Sequence, residues 1–226
     1  MKLLNIKSAV LAALLVASAA ANAAPTASII ISEVDAGGSG ATYGADWFEL
    51  TNTTSSAIDI TGWKMDDSTN AFATAVALRG LTSIAAGQSV IFIEGGSTSA
   101  NDSTINANFL TAWFGANVPA NITLANYGGS GVGLGTGGDA VNIFNSTGTN
   151  IASVSFGAST VGQTFDNSAG LTGTISQLSA LNVGGAITSF NTTEIGSPAA
   201  VPEPESYALL MAGLALIGAI SRKRQA

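Results

Sequence analysis

The chain has no cysteine and no histidine among its 226 residues. Without cysteine it has no disulfide framework and no thiol chemistry, so packing and sheet hydrogen bonds must stabilise the fold. Without histidine it lacks the commonest general base and the commonest metal ligand of proteins. A serine nucleophile would therefore lack its usual activating base, and no Ser-x-x-Lys motif replaces it.

Charged residues are also scarce, at 9% of the chain. Between residues 24 and 201 only Lys64 and Arg79 are basic, against twelve acidic residues, which gives this part a net charge of −10. A surface of that sign repels phosphate backbones, so we predict no nucleic-acid partner. The 46% of hydrophobic residues and the 27 glycines suit a β-rich exported protein better than a helical enzyme.

The first 23 residues have the layout of a secretory signal peptide. Two lysines precede the apolar run 9–17, and the small residues Ala21 and Ala23 follow it. We predict cleavage after Ala23 and export of the mature chain. A buried N-terminal helix is the alternative, but the basic, apolar and small-residue regions stand in the order that a signal peptide requires.

The clearest strand pattern covers residues 46–66. Phe48 and Leu50 alternate with Glu49 and Thr51, as in half-buried antiparallel strands, where successive side chains point to opposite faces. This pattern predicts that Glu49 and Asp59 face outward. A bend at glycine 62 is expected to lead from one strand to the next. The inward phase returns at Ile58, Ile60, Trp63 and Met65.

Other segments complete a strand-rich domain, which we assign to residues 24–200 as one unit. A short helix capped by Asn106 or Asn108 is expected to form a lid over the end of the core, with Phe109, Leu110, Trp113 and Phe114 on its apolar side. The run 72–78 suits either a weak strand or a short helix. Strands are predicted at 28–34, 89–94, 139–144, 151–156 and 173–178, with 89–94 central because it is apolar on both faces. The polar turn 145–148 is expected to join 139–144 and 151–156 as a hairpin.

Glycines 133, 135 and 138 satisfy the G-x-G-x-x-G pattern of phosphate-binding loops. That mechanism needs a strand before the loop and a helix after it, so that the helix N-terminus faces the phosphate. Here a predicted strand, 139–144, follows the loop. We therefore interpret residues 128–138 as a glycine-rich turn.

Any catalytic chemistry would have to come from carboxylates. We expect most of these carboxylates to be exposed to solvent or to cap turns. Two carboxylates facing each other across a groove would suit glycosidic hydrolysis, which stays an alternative. Asp66 and Asp67 would offer oxygen ligands to calcium, but regularly spaced acidic ligands are absent. We predict no catalytic residue, metal or cofactor. The acidic residues are Glu33, Asp35, Asp46, Glu49, Asp59, Asp66, Asp67, Glu94, Asp102, Asp139, Asp166 and Glu194.

Five segments in order resemble the lamin-tail domain of bacterial secreted proteins. The resemblance covers most of residues 28–198, is interrupted by residues 100–121, and ends at a Gly-Ser-Pro turn, 196–198, similar to the closing turn of that family. It implies an all-β, immunoglobulin-like β-sandwich, in agreement with the alternation above. The segments are IISEV at 30–34, DWFELTN at 46–52, AIDITGWKMDD at 57–67, AAGQSVIFI at 85–93 and GDAVNIFNSTG at 138–148.

Residues 201–226 resemble the PEP-CTERM sorting signal. The apolar run of fourteen residues spans about 21 Å as a helix, less than the roughly 30 Å of a hydrocarbon core, which suits temporary anchorage. The positive-inside rule keeps the basic end in the cytoplasm and the domain in the periplasm. The resemblance implies cleavage near the motif by exosortase, a membrane peptidase. The parts are the motif Pro202, Glu203 and Pro204, the apolar run 207–220, and the basic cluster Arg222, Lys223 and Arg224.

These resemblances imply an exported, non-catalytic protein of a Gram-negative bacterium. The expected route is transient inner-membrane anchorage followed by release to the cell surface or medium. We predict exosortase as the processing partner and a role at the cell surface or in the biofilm matrix, associated with exopolysaccharide. The alternatives are a carbohydrate-active hydrolase with paired carboxylates and a glycan-binding module. The outward phase of Trp47 suits either stacking on a sugar ring or a rim position in the core.

Overall fold

The structure, a computed structural model, describes residues 27–191 and 194–200. Regular structure in these residues is almost entirely β, with one α-helix, α1 (Asp102–Phe114). The predicted signal peptide, 1–23, and the sorting tail, 201–226, lie outside the described residues. The strands are β1 (Ile29–Asp35), β2 (Trp47–Asn52), β3 (Ile58–Asp59), β4 (Lys64–Asp66), β5 (Val76–Arg79), β6 (Ser83–Ile84), β7 (Ser89–Gly95), β8 (Leu124–Gly128), β9 (Asp139–Phe144), β10 (Asn150–Phe156), β11 (Phe165–Asp166), β12 (Gly173–Ile175), β13 (Ile187–Thr188) and β14 (Ile195–Gly196).

Ten of these strands form one hydrogen-bonded series, in the order β11-β1-β2-β7-β8-β5-β4-β9-β10-β12. Strand β5 pairs with β8 on one side and with β4 on the other, so it joins the two halves of the series. The halves also meet at their far ends, where Phe156 of β10 packs on Phe165 of β11 with ring centroids 5.2 Å apart. The series thus folds back on itself as a sandwich. The predicted all-β, immunoglobulin-like architecture is confirmed.

The main core lies between the two halves of the sandwich. Phe48 of β2 and Phe92 of β7 stack there with ring centroids 5.4 Å apart. Trp63 and Ile60 are buried in the same cluster, as the strand phase predicted. Gly62 has a φ of +74° and separates β3, which pairs with β6 outside the main series, from β4 within it. The predicted bend at this glycine is therefore confirmed.

A second core lies on the opposite face of β2 and β7. Trp47 packs edge-on against Phe109 and Trp113 of α1, with ring centroids 5.7 and 5.9 Å apart. Ile91 and Ile93 of β7 belong to this cluster, whereas Val90 and Phe92 belong to the main core, so β7 is buried on both faces. The prediction of a central strand here is confirmed. Helix α1 covers the outer face of the sheet, so its predicted place over the end of the core was wrong.

The start of α1 also differs from the prediction. The helix begins at Asp102, whose carboxylate accepts hydrogen bonds from Arg79 Nε at 2.6 Å and from Arg79 Nη2 at 2.7 Å. An acidic side chain in the first turn interacts favourably with the helix dipole. Asn106, a predicted cap, lies inside the helix and exchanges side-chain hydrogen bonds with Asn126 of β8, at 2.9 and 3.1 Å. The helix therefore begins before either predicted cap.

Four further segments were predicted from turn chemistry and alternation. The glycine-rich residues between β8 and β9 lead from strand to strand with no helix, so their interpretation as a turn is confirmed. Strands β9 and β10 form the predicted hairpin. The ambiguous run 72–78 divides into a turn and the start of β5. Of the predicted strand 173–178, Gly173–Ile175 pairs in parallel with β10, and Leu178 forms an isolated antiparallel bridge with Phe165.

Candidate functional site

Many of the acidic side chains are removed from solvent. Asp59 is exposed and caps its own turn by accepting a hydrogen bond from Thr61 N, as predicted. Glu33 and Glu49, by contrast, are each only 1% exposed, so their predicted solvated positions were wrong. The other buried acidic residues are Asp35, Asp46, Asp66 and Glu194.

Glu33 and Glu49 lie directly opposite each other on β1 and β2. A β-bulge between Ile31 and Glu33 shifts the phase of β1, and Ile31 and Val34 both belong to the main core. Ser32 and Glu33 therefore both face away from that core. Ser32 Oγ donates to Glu49 Oε1 at 2.6 Å. The outward phase predicted for Glu49 was right, but its face is covered by protein.

The cover over this pair is the last described stretch of the chain, residues 195–200, which we call the exit segment. Ser197 N donates to Glu33 Oε1 at 2.7 Å, and Ser197 Oγ donates to Glu33 Oε2 at 3.0 Å. Ala199 N donates to Glu49 Oε2 at 2.5 Å. The two carboxyls of neighbouring strands thus hold two successive parts of the exit segment.

The exit segment is closely fitted to the domain as well as hydrogen-bonded to it. A Cβ added at Gly196 would lie 2.8 Å from Glu33 Oε1 and 2.8 Å from the Trp113 ring, so only glycine fits there. Asn121 Nδ2 donates to the carbonyl oxygen of Ala199 at 3.0 Å. Ala199 itself packs in the second core. The segment is therefore an integral layer over β1 and β2.

Burial changes the proton affinity of these carboxyls. Burial, and after it the neighbouring charge of Glu49, raises the pKa of Glu33 to about 8. Burial also raises the pKa of Glu49 to about 7, although hydrogen bonds from Ser32 and Ala199 oppose this rise. The pair consequently retains protons at pH values where a solvated glutamate is ionised.

A second buried group adjoins the first at the end of β1. Tyr43 OH donates to Asp35 Oδ2 at 2.8 Å, and Trp47 Nε1 donates to Tyr43 OH at 3.2 Å. Burial, followed by the charge of Glu194, raises the pKa of Asp35 to about 7. This group connects β1 and β2 to the residue that precedes the exit segment.

The Glu33 and Glu49 carboxyls face protein atoms rather than an open catalytic groove. Glu33 also accepts a hydrogen bond from Thr164 Oγ1 at 2.5 Å, so its oxygens are engaged by protein donors. The two principal surface depressions of the described residues are lined by residues 60–62 and 78–82, and by residues between 166 and 177. Neither depression includes Glu33 or Glu49. In this arrangement the pair can bind the exit segment and hold protons.

The other predicted binding positions are also occupied by protein contacts. Asp66 Oδ2 accepts hydrogen bonds from Thr69 Oγ1 at 2.6 Å and from Ala71 N at 2.7 Å, so it caps a turn. Asp67 caps the same turn through Thr69 N at 2.8 Å. Within residues 27–191 and 194–200, no group of three or more acidic side chains is placed to hold a metal ion. Trp47 is fully buried beneath α1, so neither sugar stacking nor a rim position applies.

The predicted processing sites lie outside the described residues: Ala21, Ala23, Pro202, Glu203, Pro204, Arg222, Lys223 and Arg224. In the part of the chain that the structure describes, no helix is long and apolar enough to cross a membrane.

Sequence reasoning missed the Glu33 and Glu49 pair. The available signal was that each glutamate lies inside a strand between neighbours that are apolar or hydroxyl-bearing, in IIISEVD and WFELTN.

Comparison with protein families matches residues 22–158 to the Lamin Tail Domain and residues 200–225 to the PEP-CTERM protein-sorting motif. No curated protein matches the chain. The first match covers more than half of the chain and includes every strand from β1 to β10. The second begins at the last residue of the exit segment. The chain therefore belongs to the lamin tail domain family and carries a C-terminal motif for export and sorting by exosortase.

Proposed function

We propose that the chain is a non-catalytic component of the cell surface or extracellular matrix, associated with exopolysaccharide. The observation that carries this proposal is the position of the sorting motif. The motif begins at residue 200, immediately after the segment that Glu33 and Glu49 hold against the domain. The folded domain and the sorting tail thus meet at one defined point.

The expected route has two steps. The apolar run 207–220 first stops in the inner membrane, with the basic cluster in the cytoplasm and the domain in the periplasm. Exosortase then cuts near Pro202 and Pro204, which exclude regular helix and strand and so leave an extended substrate. The contacts of Ser197 and Ala199 precede that point in the chain. Cleavage therefore removes none of the contacts that hold the exit segment.

The surroundings of the carboxylates support a non-catalytic role. A glycosidase needs two carboxyls that reach the substrate, with space between them for the sugar or water. The pair on β1 and β2 is buried beneath the exit segment, and protein donors occupy its oxygens. The acidic domain also favours hydrated, uncharged or cation-bridged polymers over nucleic acid as neighbours.

Intact-mass measurement of the surface and medium fractions from an exosortase-containing host tests the route. We expect a species that begins near Ala24 and ends near Pro204. The matched control is the same chain in a host without exosortase, where the C-terminal residues should be retained. Full-length chain through Ala226, held stably in the inner membrane of the first host, would contradict the proposal.

Incubation of the mature chain with a panel of polysaccharides tests the role. Saturable binding without release of new reducing ends supports association with exopolysaccharide. Turnover that disappears on Glu33→Gln or Glu49→Gln substitution would establish the hydrolase alternative. Absence of both binding and turnover would contradict the matrix role.

A further inference from the structure

Large apolar side chains are exposed mainly in one part of the domain. Among the described residues, six of the seven exposed large apolar side chains lie between residues 161 and 190, and the seventh is Val118. This stretch follows the lamin tail domain match, which ends at residue 158. Concentrated apolar exposure of this kind marks an interaction surface. The six side chains are Val161, Leu171, Leu181, Val183, Ile187 and Phe190.

Several of these side chains surround the exit segment. Ile187 of β13 pairs with Gly196 of β14. The turn that carries Leu181 and Val183 packs on the end of the segment, since a Cβ added at Gly185 would lie 2.8 Å from Ala200 Cβ. Val161 precedes the glycine whose carbonyl oxygen accepts a hydrogen bond from Ile195 N at 2.9 Å. Phe190 N donates to the carbonyl oxygen of Trp113 at 3.1 Å, and the Trp113 ring lies against Gly196 of the segment. We call Val161, Leu181, Val183, Ile187 and Phe190 the exit patch.

The charge distribution separates this part from the rest of the domain. Residues 167–193 contain no acidic or basic side chain, whereas residues 24–201 carry a net charge of −10. Glu194, the next acidic residue, is buried. The stretch that carries Leu181, Val183, Ile187 and Phe190 therefore contributes no carboxylate of its own to contact with an anionic lipid surface. It also brings few charged groups that contact with lipid would have to desolvate.

Chain length brings the same part of the domain close to the bilayer. Only residues 201–206 separate Ala200 from the apolar run 207–220. Six extended residues span about 20 Å. A domain of this length is roughly 40 Å across. With the apolar run inserted, the side of the domain around Ala200 is therefore the side that faces lipid.

We propose that the exit patch rests on the phospholipid surface while the sorting tail is inserted. This inference rests on the proposed function, because it requires insertion of the apolar run. Apolar side chains enter the boundary between headgroups and acyl chains to a depth of about 5–10 Å. Contact at the exit patch holds Pro202, Glu203 and Pro204 at that boundary, where a membrane peptidase acts. After cleavage the domain loses its inserted tail and leaves the membrane.

The absence of native cysteine allows single-cysteine labelling of this surface. The full mature chain, residues 24–226, is reconstituted in vesicles of phosphatidylethanolamine and phosphatidylglycerol with a polarity-sensitive fluorophore at Leu181→Cys or Phe190→Cys. The control is Ser146→Cys, in the exposed turn between β9 and β10. Strand β10 separates that turn from Phe156 by about 20 Å. Phe156 packs on Phe165, and the preceding residue, Thr164, donates its backbone N–H to the carbonyl oxygen of Ile195 in the exit segment at 3.1 Å.

We expect nitroxides on the lipid headgroups and upper acyl chains to quench the labels at residues 181 and 190 several-fold more than the label at residue 146. Replacing Leu181, Val183 and Ile187 together by serine should lower quenching at residue 190 to the level at residue 146. These three side chains are exposed, so their replacement leaves both cores intact. Quenching that is equal at all three labels, or unchanged by the serine variant, would overturn membrane docking.

Co-flotation of the chain with vesicles after an alkaline wash measures insertion separately. A chain that co-floats but shows no preferential quenching refutes docking and leaves the sorting route intact. A chain that does not co-float refutes both. The labels at residues 181 and 190 are also measured in detergent without lipid. If they are as shielded from water there as in vesicles, and the shielding increases with protein concentration, the patch contacts a second copy and the inference is wrong.

Discussion

The substitution Glu33→Gln tests whether the buried carboxyl pair holds protons in the folded chain. Burial and the charge of Glu49 raise the pKa of Glu33 from 4.5 to about 8. Between these values the folded chain binds more protons than the unfolded chain, so the free energy of unfolding falls as the pH rises. This contribution is fully present below about pH 4.5 and is lost as the pH passes about 8.

The pKa change sets the size of the expected effect. One pH unit corresponds to about 1.4 kcal/mol, so the interval between 4.5 and about 8 allows an upper limit of roughly 5 kcal/mol. Hydrogen bonds from Thr164 and Ser197 oppose the rise in pKa, and their effect is already included in the value of about 8. Glutamine does not ionise and has nearly the shape of protonated Glu33. Between pH 5 and pH 9 we expect the variant to gain ~2–5 kcal/mol of stability relative to the unmodified chain.

Urea unfolding followed by tryptophan fluorescence measures this difference, because Trp47, Trp63 and Trp113 are all buried. The control is Asp59→Asn, which removes an exposed carboxylate and should leave the slope of stability against pH unchanged over this range. Parallel pH profiles for the unmodified chain and the Glu33→Gln variant would refute the reasoning, since they would mean that Glu33 ionises equally in both states.

Three further predictions concern the core, the exit segment and the surface. Replacing Trp63 by alanine should cost ~3–5 kcal/mol in urea unfolding, because its side chain is 93% removed from solvent in the main core; a loss under about 1 kcal/mol would contradict that position. Gly196→Ala should lower the free energy of unfolding by ~1–3 kcal/mol, because its Cβ would meet Glu33 and Trp113. The control Gly157→Ala, whose Cβ meets no atom within 4 Å, should be nearly neutral, and equal effects of the two substitutions would show that the exit segment is not closely packed. Circular dichroism should be dominated by strand, and titration with duplex DNA at about 0.15 M salt should show no submicromolar binding, because the domain has a net charge of −10.

Period-two alternation predicted β1, β2, β9 and β10 and the phase of the side chains in β2, but it did not predict β8 or β11. It placed Phe48 and Leu50 on one face of β2 and Trp47 and Glu49 on the other, and the structure has the same arrangement. The bend at Gly62 and the hairpin of β9 and β10 were also predicted, since turn chemistry acts over a few residues. These are local properties of the chain.

Local patterns do not reveal what covers the second face of a sheet. Trp47 is buried by α1, more than fifty residues later, and Glu49 by Ala199, 150 residues later. Because these partners are so distant in sequence, alternation indicated solvent where the structure has a second core. The same separation concealed the pairing of Arg79 with Asp102 in the first turn of α1.

The sequence by itself determined the strand-rich class, the family and the C-terminal sorting motif, and it predicts the N-terminal signal peptide. Signal peptides and sorting tails are recognised as linear arrangements of charge, apolar length and proline, so they are readable without a fold. Tertiary structure alone decided that Glu33 and Glu49 are buried, that they retain protons, and that they hold the segment before the sorting motif. The physical reason is that desolvation and hydrogen bonding of a carboxyl depend on which distant residues the fold brings against it.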